Sequence, residues 1–210
     1  MHYLWMDCET FGMNPKVNPL ATVYMAVYDE KDKFIEDLDL KVKPDSMDGL
    51  YADPETEKIH GINFEKHVAD PNTITYSQAL PVIVSFFEKH KIPRAKKSLK
   101  PAGQNVVFDI DYLRNTIFTR ELWDQHVHYR YIDTLVILSY LQDVELVPGD
   151  LGNLASLIEY FDLKTGEFHD AKADTKMAVQ VYISMKNLIL RTKNSTLSSP
   201  SANLLKIIED

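Results

Sequence analysis

Three short runs near the start of the chain carry strand patterns. His2–Glu9 is a compact apolar run, and Ala21–Tyr28 is a second one, rich in strand formers. Phe34–Val42 alternates: Phe34, Leu38, Leu40 and Val42 face one way, and Ile35, Asp37, Asp39 and Lys41 the other. That alternation predicts a strand with one solvated face, at a sheet edge. Helical spacing then takes over. Asp53-Pro54 offers an N-cap with proline in the first turn, and Gly61 a left-handed stop. Ser77–Lys91 is apolar at Leu80, Val84 and Phe87, which places Pro81 in the opening turns. Leu99–Gln104 reads as a fourth strand leading into a helix from about Phe108. Asp133 caps a helix through Leu141, and Leu154, Leu157, Ile158 and Phe161 keep helical spacing. A last helix, Ala171 to Leu190, is expected to bury Ala178, Val181, Tyr182, Met185, Leu188 and Ile189. Three strands followed by helices and at least one later strand predict a mixed sheet covered by helices.

Composition narrows the class. With 210 residues, 45% of them hydrophobic, the chain suits one compact domain. A single cysteine excludes an intramolecular disulfide and fits a reducing compartment, so the expectation is a cytoplasmic protein. No 18-residue apolar stretch or signal segment is visible, so no membrane span is expected. Residues 193–203 are rich in Ser, Thr, Asn and Pro, so the domain is placed at 1–192 and a linker with a short amphipathic tail, Leu204–Asp210, at 193–210. The tail reads as a frayed terminus or as a docking peptide. The net charge of −8 argues against a polyanionic partner unless acids gather around bound cations.

Three places carry candidate chemistry. Asp7 and Glu9 flank Cys8 on an apolar strand, so the two carboxylates share a face while the thiol points away. With 31 acids in the chain, about 4–5 acid-x-acid pairs arise by chance, so the pair alone reads equally as a solvated strand end. Position adds weight, because two acids on an apolar strand need cations or strong donors. Gly103–Asp109 is a glycine-containing turn from strand to helix; Asp109 either joins a site at the sheet's end or favours the helix dipole. His169 precedes Asp174 by five residues, and Asp170 between them is a good N-cap. That arrangement puts His169 in a loop and Asp174 one turn into a helix.

Taken in order, the three resemble the motifs of the DEDDh family of proofreading-type 3′→5′ exonucleases. Asp7-Cys8-Glu9-Thr10 resembles that family's Asp-x-Glu-Thr, Asn105 to Asp109 its Asn-x-x-Phe-Asp, and His169 to Asp174 its His-x4-Asp. Ile59–Ile62 and Ile132–Leu135 are lesser similarities. Gln104 departs from the pattern, standing where many members have His. The resemblance covers roughly residues 2–190 and implies a ribonuclease H-like mixed five-stranded sheet flanked by helices, in an α/β single domain. It also implies a metal-dependent exonuclease that releases nucleoside 5′-monophosphates. Asp7, Glu9, Asp109 and Asp174 would hold two divalent cations, Mg²⁺ or Mn²⁺, with Asp7 bridging them, and His169 would be the general base. Thr10, Phe11, His60, Ile62, Asn105 and Phe108 would contact the terminal nucleotide.

The physical chemistry of these residue types agrees. Carboxylate oxygens suit hard cations, and no thiolate cluster offers itself to zinc. Imidazole is the side chain that ordinarily titrates near neutrality. The implied partner is the 3′ end of a nucleic acid, single-stranded DNA slightly favoured, with RNA trimming as the alternative. An inactive nucleic-acid-binding or scaffold protein of the same fold is a remote third reading. A separate polymerase or other protein could dock through the tail. The basic run Lys89, His90, Lys91, Arg94, Lys96, Lys97 and Lys100 reads as a solvated loop or as a contact to backbone phosphates.

Overall fold

A computed structural model describes residues 1–92, 99–166 and 168–196. Its centre is a six-stranded sheet in the order β4-β3-β2-β1-β5-β6. β1 (His2–Thr10), β2 (Leu20–Tyr28) and β3 (Phe34–Lys43) form an antiparallel meander. β5 (Leu99–Gly103) and β6 (Ile132–Asp133) add in parallel beyond β1, and β4 (Ile74–Thr75) pairs in parallel with the end of β3. The expected five strands are thus six, because β4 and β6 are two residues each and leave no period to read. They show in sequence only as helix caps: Thr75 caps α3 (Tyr76–His90) and Asp133 caps α6 (Thr134–Asp143). For the same reason β3 is an edge strand only up to Val42, where β4 takes over its open side.

Alternation along β1 sorts its side chains between two layers. Leu4, Met6 and Cys8 join Val23, Met25 and Val27 of β2 beneath α3 and α4 (Val106–Asn115), against Ile83, Phe87, Val106 and Leu113. Each such side chain, fully buried, contributes about 1.5–3 kcal/mol. Trp5 faces the other way, with Tyr24 and Ala26, onto Ala171, Ala178 and Val179 of α8 (Ala171–Thr196). A third cluster joins α6, α7 (Leu154–Tyr160) and α8 through Leu138, Leu141, Leu157, Met177, Val181 and Met185.

Three smaller helices were shaped by local signals. α1 (Pro54–His60) has Asp53 as its N-cap and Gly61, at φ 71°, as its left-handed end, as the sequence predicts. α2 (Phe64–Ala69) and α5 (Arg120–His126), both six or seven residues, are too short for an apolar period to announce. α4 begins two residues earlier than expected, at Val106. α8 runs to Thr196 and so continues into the stretch assigned to the linker, while Ile189 is 40% exposed instead of buried. The tail Leu204–Asp210 lies outside the described residues. Among the described residues no helix is long and apolar enough to cross a membrane.

Candidate active site

β1 ends in the middle of the sheet, and its last outward residues, Asp7 and Glu9, point to the layer that α8 covers. Asp174, one turn into α8, meets them there: one carboxylate oxygen from each of Asp7, Glu9 and Asp174 lies within 4.8 Å of the others. Local hydrogen bonds fix the third member. Asp170 accepts from the Ala173 N–H at 2.8 Å, which starts the helix, and the His169 N–H donates to Asp174 Oδ2 at 3.1 Å. Asp174 Oδ1 is left buried with no donor. His169 holds φ at 63°, a left-handed conformation that costs a non-glycine residue roughly 1–2 kcal/mol. The strain brings its side chain to the same cleft as Asp7 and Asp174.

That cleft, of ≈ 440 Å³, is lined by Asp7, Asp174, His169, Phe168, Gln104 and Asn153 among others. Sequence reasoning missed Phe168, Asn153 and Gln104 as cleft residues. Gln104 had one available signal, its place where the resembling family carries His. Thr134, wholly buried, donates to Gln104 Oε1 at 3.2 Å and so directs the amide nitrogen away from itself.

Asp109 comes from the opposite layer. It is 2% exposed, on the first turn of α4, and accepts from the Cys8 backbone N–H and thiol. It stands outside the three-carboxylate group yet near enough to repel Asp7. The turn that delivers it is built by two close fits. A Cβ on Gly103 would lie 2.8 Å from the Met6 carbonyl oxygen, so β5 can approach β1 only with glycine there. Asn105 adopts φ 56°, which Asn tolerates, and its N–H donates to Asp133 Oδ1 at 3.0 Å. The same Asp133 oxygen accepts from Leu135 at 2.9 Å.

The carboxylates strain one another. Burial raises Asp7 well above the usual carboxylate range, and Asp109, Glu9 and Asp174 add like-charge repulsion. Burial, then Asp174 and Asp170, pushes Glu9 up to about 8. Asp174 is raised chiefly by burial, and so is Asp109. No donor among the described residues meets the Glu9 carboxylate. A cluster of oxygens at this spacing, with one oxygen bare and protons favoured in its place, has the chemistry of a divalent-cation site.

Of the remaining candidate residues, Thr10, Phe11, His60 and Ile62 follow on from Glu9, while Asn105 and Phe108 belong to the α4 turn. Thr10 donates to the Gly12 carbonyl at 2.6 Å, as does Tyr112. Phe11 is 1% exposed and packs on His60, Phe64 and His67, so it supports a pocket wall from behind. His60 Nδ1 accepts from the Ile62 N–H at 3.0 Å, which makes Nε2 the donor to the Thr10 carbonyl at 3.1 Å. Ile62 lines a second groove of ≈ 310 Å³ beside Thr22. Phe108 is half-buried against Tyr112, and Asn105 is exposed at the turn.

The described start of the basic run sits elsewhere. His90 accepts from His2 Nδ1 through its carbonyl, 3.0 Å away, at the start of β1, and strand geometry puts Asp7 roughly 16 Å further on. Lys89 and His90 pair with Glu36, and Lys91 with Glu88. Arg94, Lys96 and Lys97 lie outside the described residues.

The RNase T exonuclease family model matches residues 4–182. No curated protein sequence matches the chain. Among solved structures, E. coli exonuclease I in complex with a dT13 oligonucleotide superposes with a TM-score of 0.72 at 21% identity, over 92% of this chain and 42% of that one. The zinc-bound E. coli exonuclease I complex with single-stranded DNA gives 0.70 at 24%, over 89% and 40%. A product-bound exonuclease I gives 0.71 at 23%, over 90% and 44%. The fold is shared, and this chain spans about two fifths of the length of those proteins.

Proposed function

The chain belongs to this exonuclease family, with its ribonuclease H-like fold, and we propose that it removes nucleoside 5′-monophosphates stepwise from the 3′ end of single-stranded DNA, using two divalent cations. The observation that carries the reading is the convergence of Asp7, Glu9 and Asp174 within 4.8 Å, with Asp174 Oδ1 bare. These residues fit the cations: the donors are hard oxygens, and the one nearby thiol, Cys8, turns to the other layer.

Asp7, Glu9 and Asp174 would hold the ions, and Asp109 would complete the set from across the sheet. When bound, two such ions stabilise both the attacking and the leaving oxygens of the phosphodiester. His169, on its strained loop at the cleft's mouth, accepts a proton from the attacking water. The water oxygen bonds to phosphorus, the P–O3′ bond breaks, and the shortened strand keeps a 3′-hydroxyl. His60, Thr10 and Ile62 form the wall beside Glu9 that receives the terminal nucleotide, with Phe11 behind them. Asn105 and Phe108 shape the α4 side.

The preference for single-stranded DNA draws on the oligonucleotide complexes of exonuclease I. The test is a matched panel of 5′-labelled single-stranded DNA, duplex DNA and RNA with Mg²⁺ or Mn²⁺, products resolved by length. A ladder shortening from the 3′ end that stops with chelator is expected. Activity undiminished in chelator, or equal on closed circles, refutes the mechanism; faster loss of RNA moves the substrate assignment to RNA.

A further inference from the structure

The sheet continues past Glu9 in a row that no part of the catalytic reading uses. Glu9 is paired with Thr22, and Thr22 with Lys41. Directly opposed residues project to the same face. Lys41 therefore stands level with Glu9 on the active face, two strand spacings or roughly 10 Å away. Across from it lies Lys66 of α2. Thr22, the strand partner of Glu9, lines a ≈ 310 Å³ groove together with Lys41, Ile62, Asn63, Lys66 and Asp70.

Charge is sorted along this face. Asp37, Asp39 and Lys41 follow one another on the same side of β3. The two acids are occupied by Lys172, at 3.4 and 3.6 Å. The sign changes at Lys41, at the level of Glu9. Lys66 is exposed and has no acidic partner among the described residues. Lys41 pairs with Asp70 at 2.9 Å, but its side chain is 55% exposed, and such a pair is worth only about 0–1 kcal/mol. Asp70 is independently held by the Asn72 N–H at 2.9 Å and the Asn72 amide at 3.1 Å, so it can release the ammonium without losing its place.

We propose that this groove is the track for the phosphate backbone just upstream of the scissile end. Lys41 and Lys66 each neutralise one phosphate, and Ile62 walls the first base. The ligand chemistry is the phosphodiester of a single strand, which DNA and RNA share. The inference rests on the exonuclease reading, and it takes the backbone contact away from Lys89 and Lys91, which are paired with Glu36 and Glu88. It also answers the objection raised by the net charge of −8: two cations placed at the exit of an acidic site suffice to hold a polyanion locally.

The experiment is equilibrium binding of fluorescent DNA and RNA oligonucleotides with non-hydrolysable phosphorothioate 3′ ends, across a range of KCl. For a single strand each neutralised phosphate contributes about 0.7 to the salt slope, so Lys41→Gln/Lys66→Gln should lower the slope by about 1.4. Lys66→Gln alone, which disturbs no ion pair, should lower it by about half of that. Lys89→Gln/Lys91→Gln should keep the wild-type slope. Loss on both DNA and RNA, or on one of them, supports the track and identifies its strand. A wild-type slope in both Lys66 variants overturns it. Wild-type protein that shortens neither labelled DNA nor RNA would instead fail the exonuclease reading, so the two failures are distinct.

Discussion

Neutralising Glu9 should stabilise the metal-free protein at alkaline pH. Glu9 is displaced from 4.5 to about 8 in the fold, and at about 1.4 kcal/mol per unit that is roughly 5 kcal/mol against its ionised form. Because the folded pKa is the higher one, the folded state keeps a proton that the unfolded chain releases between these values. Stability therefore falls as pH rises from 4.5 to about 8. Below that window the carboxyl is neutral in both states and imposes nothing. Glu9→Gln carries no charge but buries an amide without a partner, which costs about 1–3 kcal/mol. The net gain at pH 8 is about 2–4 kcal/mol, or on the order of 5–10 °C in Tm for a chain of this size. Differential scanning fluorimetry in excess chelator at pH 4.5 and pH 8 measures it. The variant should melt higher than wild type at pH 8 only, and Mn²⁺ should reverse the order, since wild type gains a cation that the variant binds poorly. A Glu9→Gln protein melting at or below wild type in chelator at pH 8 would refute the picture of mutually repelling, desolvated carboxylates.

Other outcomes follow from the same geometry. His169→Ala should lower kcat by about 10²–10⁴ while Mn²⁺ binding by calorimetry survives, whereas Asp7→Ala should lose both; equal loss of metal in the two variants would reassign His169 as a ligand. Asp133→Ala should destabilise by about 2–3 kcal/mol in urea, because one oxygen serves both Asn105 and Leu135, and Asp133→Asn should recover most of it. Gly103→Ala should cost about 1–3 kcal/mol and lower kcat as well, since the added methyl presses on the Met6 carbonyl and moves the turn that carries Asp109.

Long periodic elements were readable in the chain because their patterns outlast local noise. β1 to β3, α3 and α6 to α8 stand within a few residues of expectation. β4 and β6 were not, because two residues define no period, and their roles as caps for α3 and α6 hid their pairing. The apolar face of α8 read correctly through Met185 and then failed at Ile189, which is 40% exposed at the side of an open apolar groove shared with Val136 and Tyr140 of α6. At the site, strand alternation put Asp7 and Glu9 on one face, and the ordered family resemblance brought Asp174 to them. Neither could tell that Asp109 would rest on Cys8, since that depends on how closely Gly103 lets β5 approach β1. The basic run was conspicuous in sequence; its described start, Lys89 to Lys91, lies at the far end of β1 from Asp7, and Arg94, Lys96 and Lys97 lie outside the described residues. Lys41 and Lys66 were unremarkable in sequence, because only strand register and a short helix bring them level with Glu9.

The contribution of α8 has a temporal side. It covers one whole layer of the sheet and supplies Asp174 and the strained turn of His169, yet it follows every other described element in chain order. On a ribosome, Asp7 and Glu9 emerge early and wait without their third partner until this helix has been made and docked. The three-carboxylate group is therefore incomplete while nearly all of the described chain is being synthesised. Severing the loop ahead of Ala171 would divide the molecule into two pieces, neither of which holds a complete site. Bringing those pieces together on demand would place assembly of the three-carboxylate group under external control.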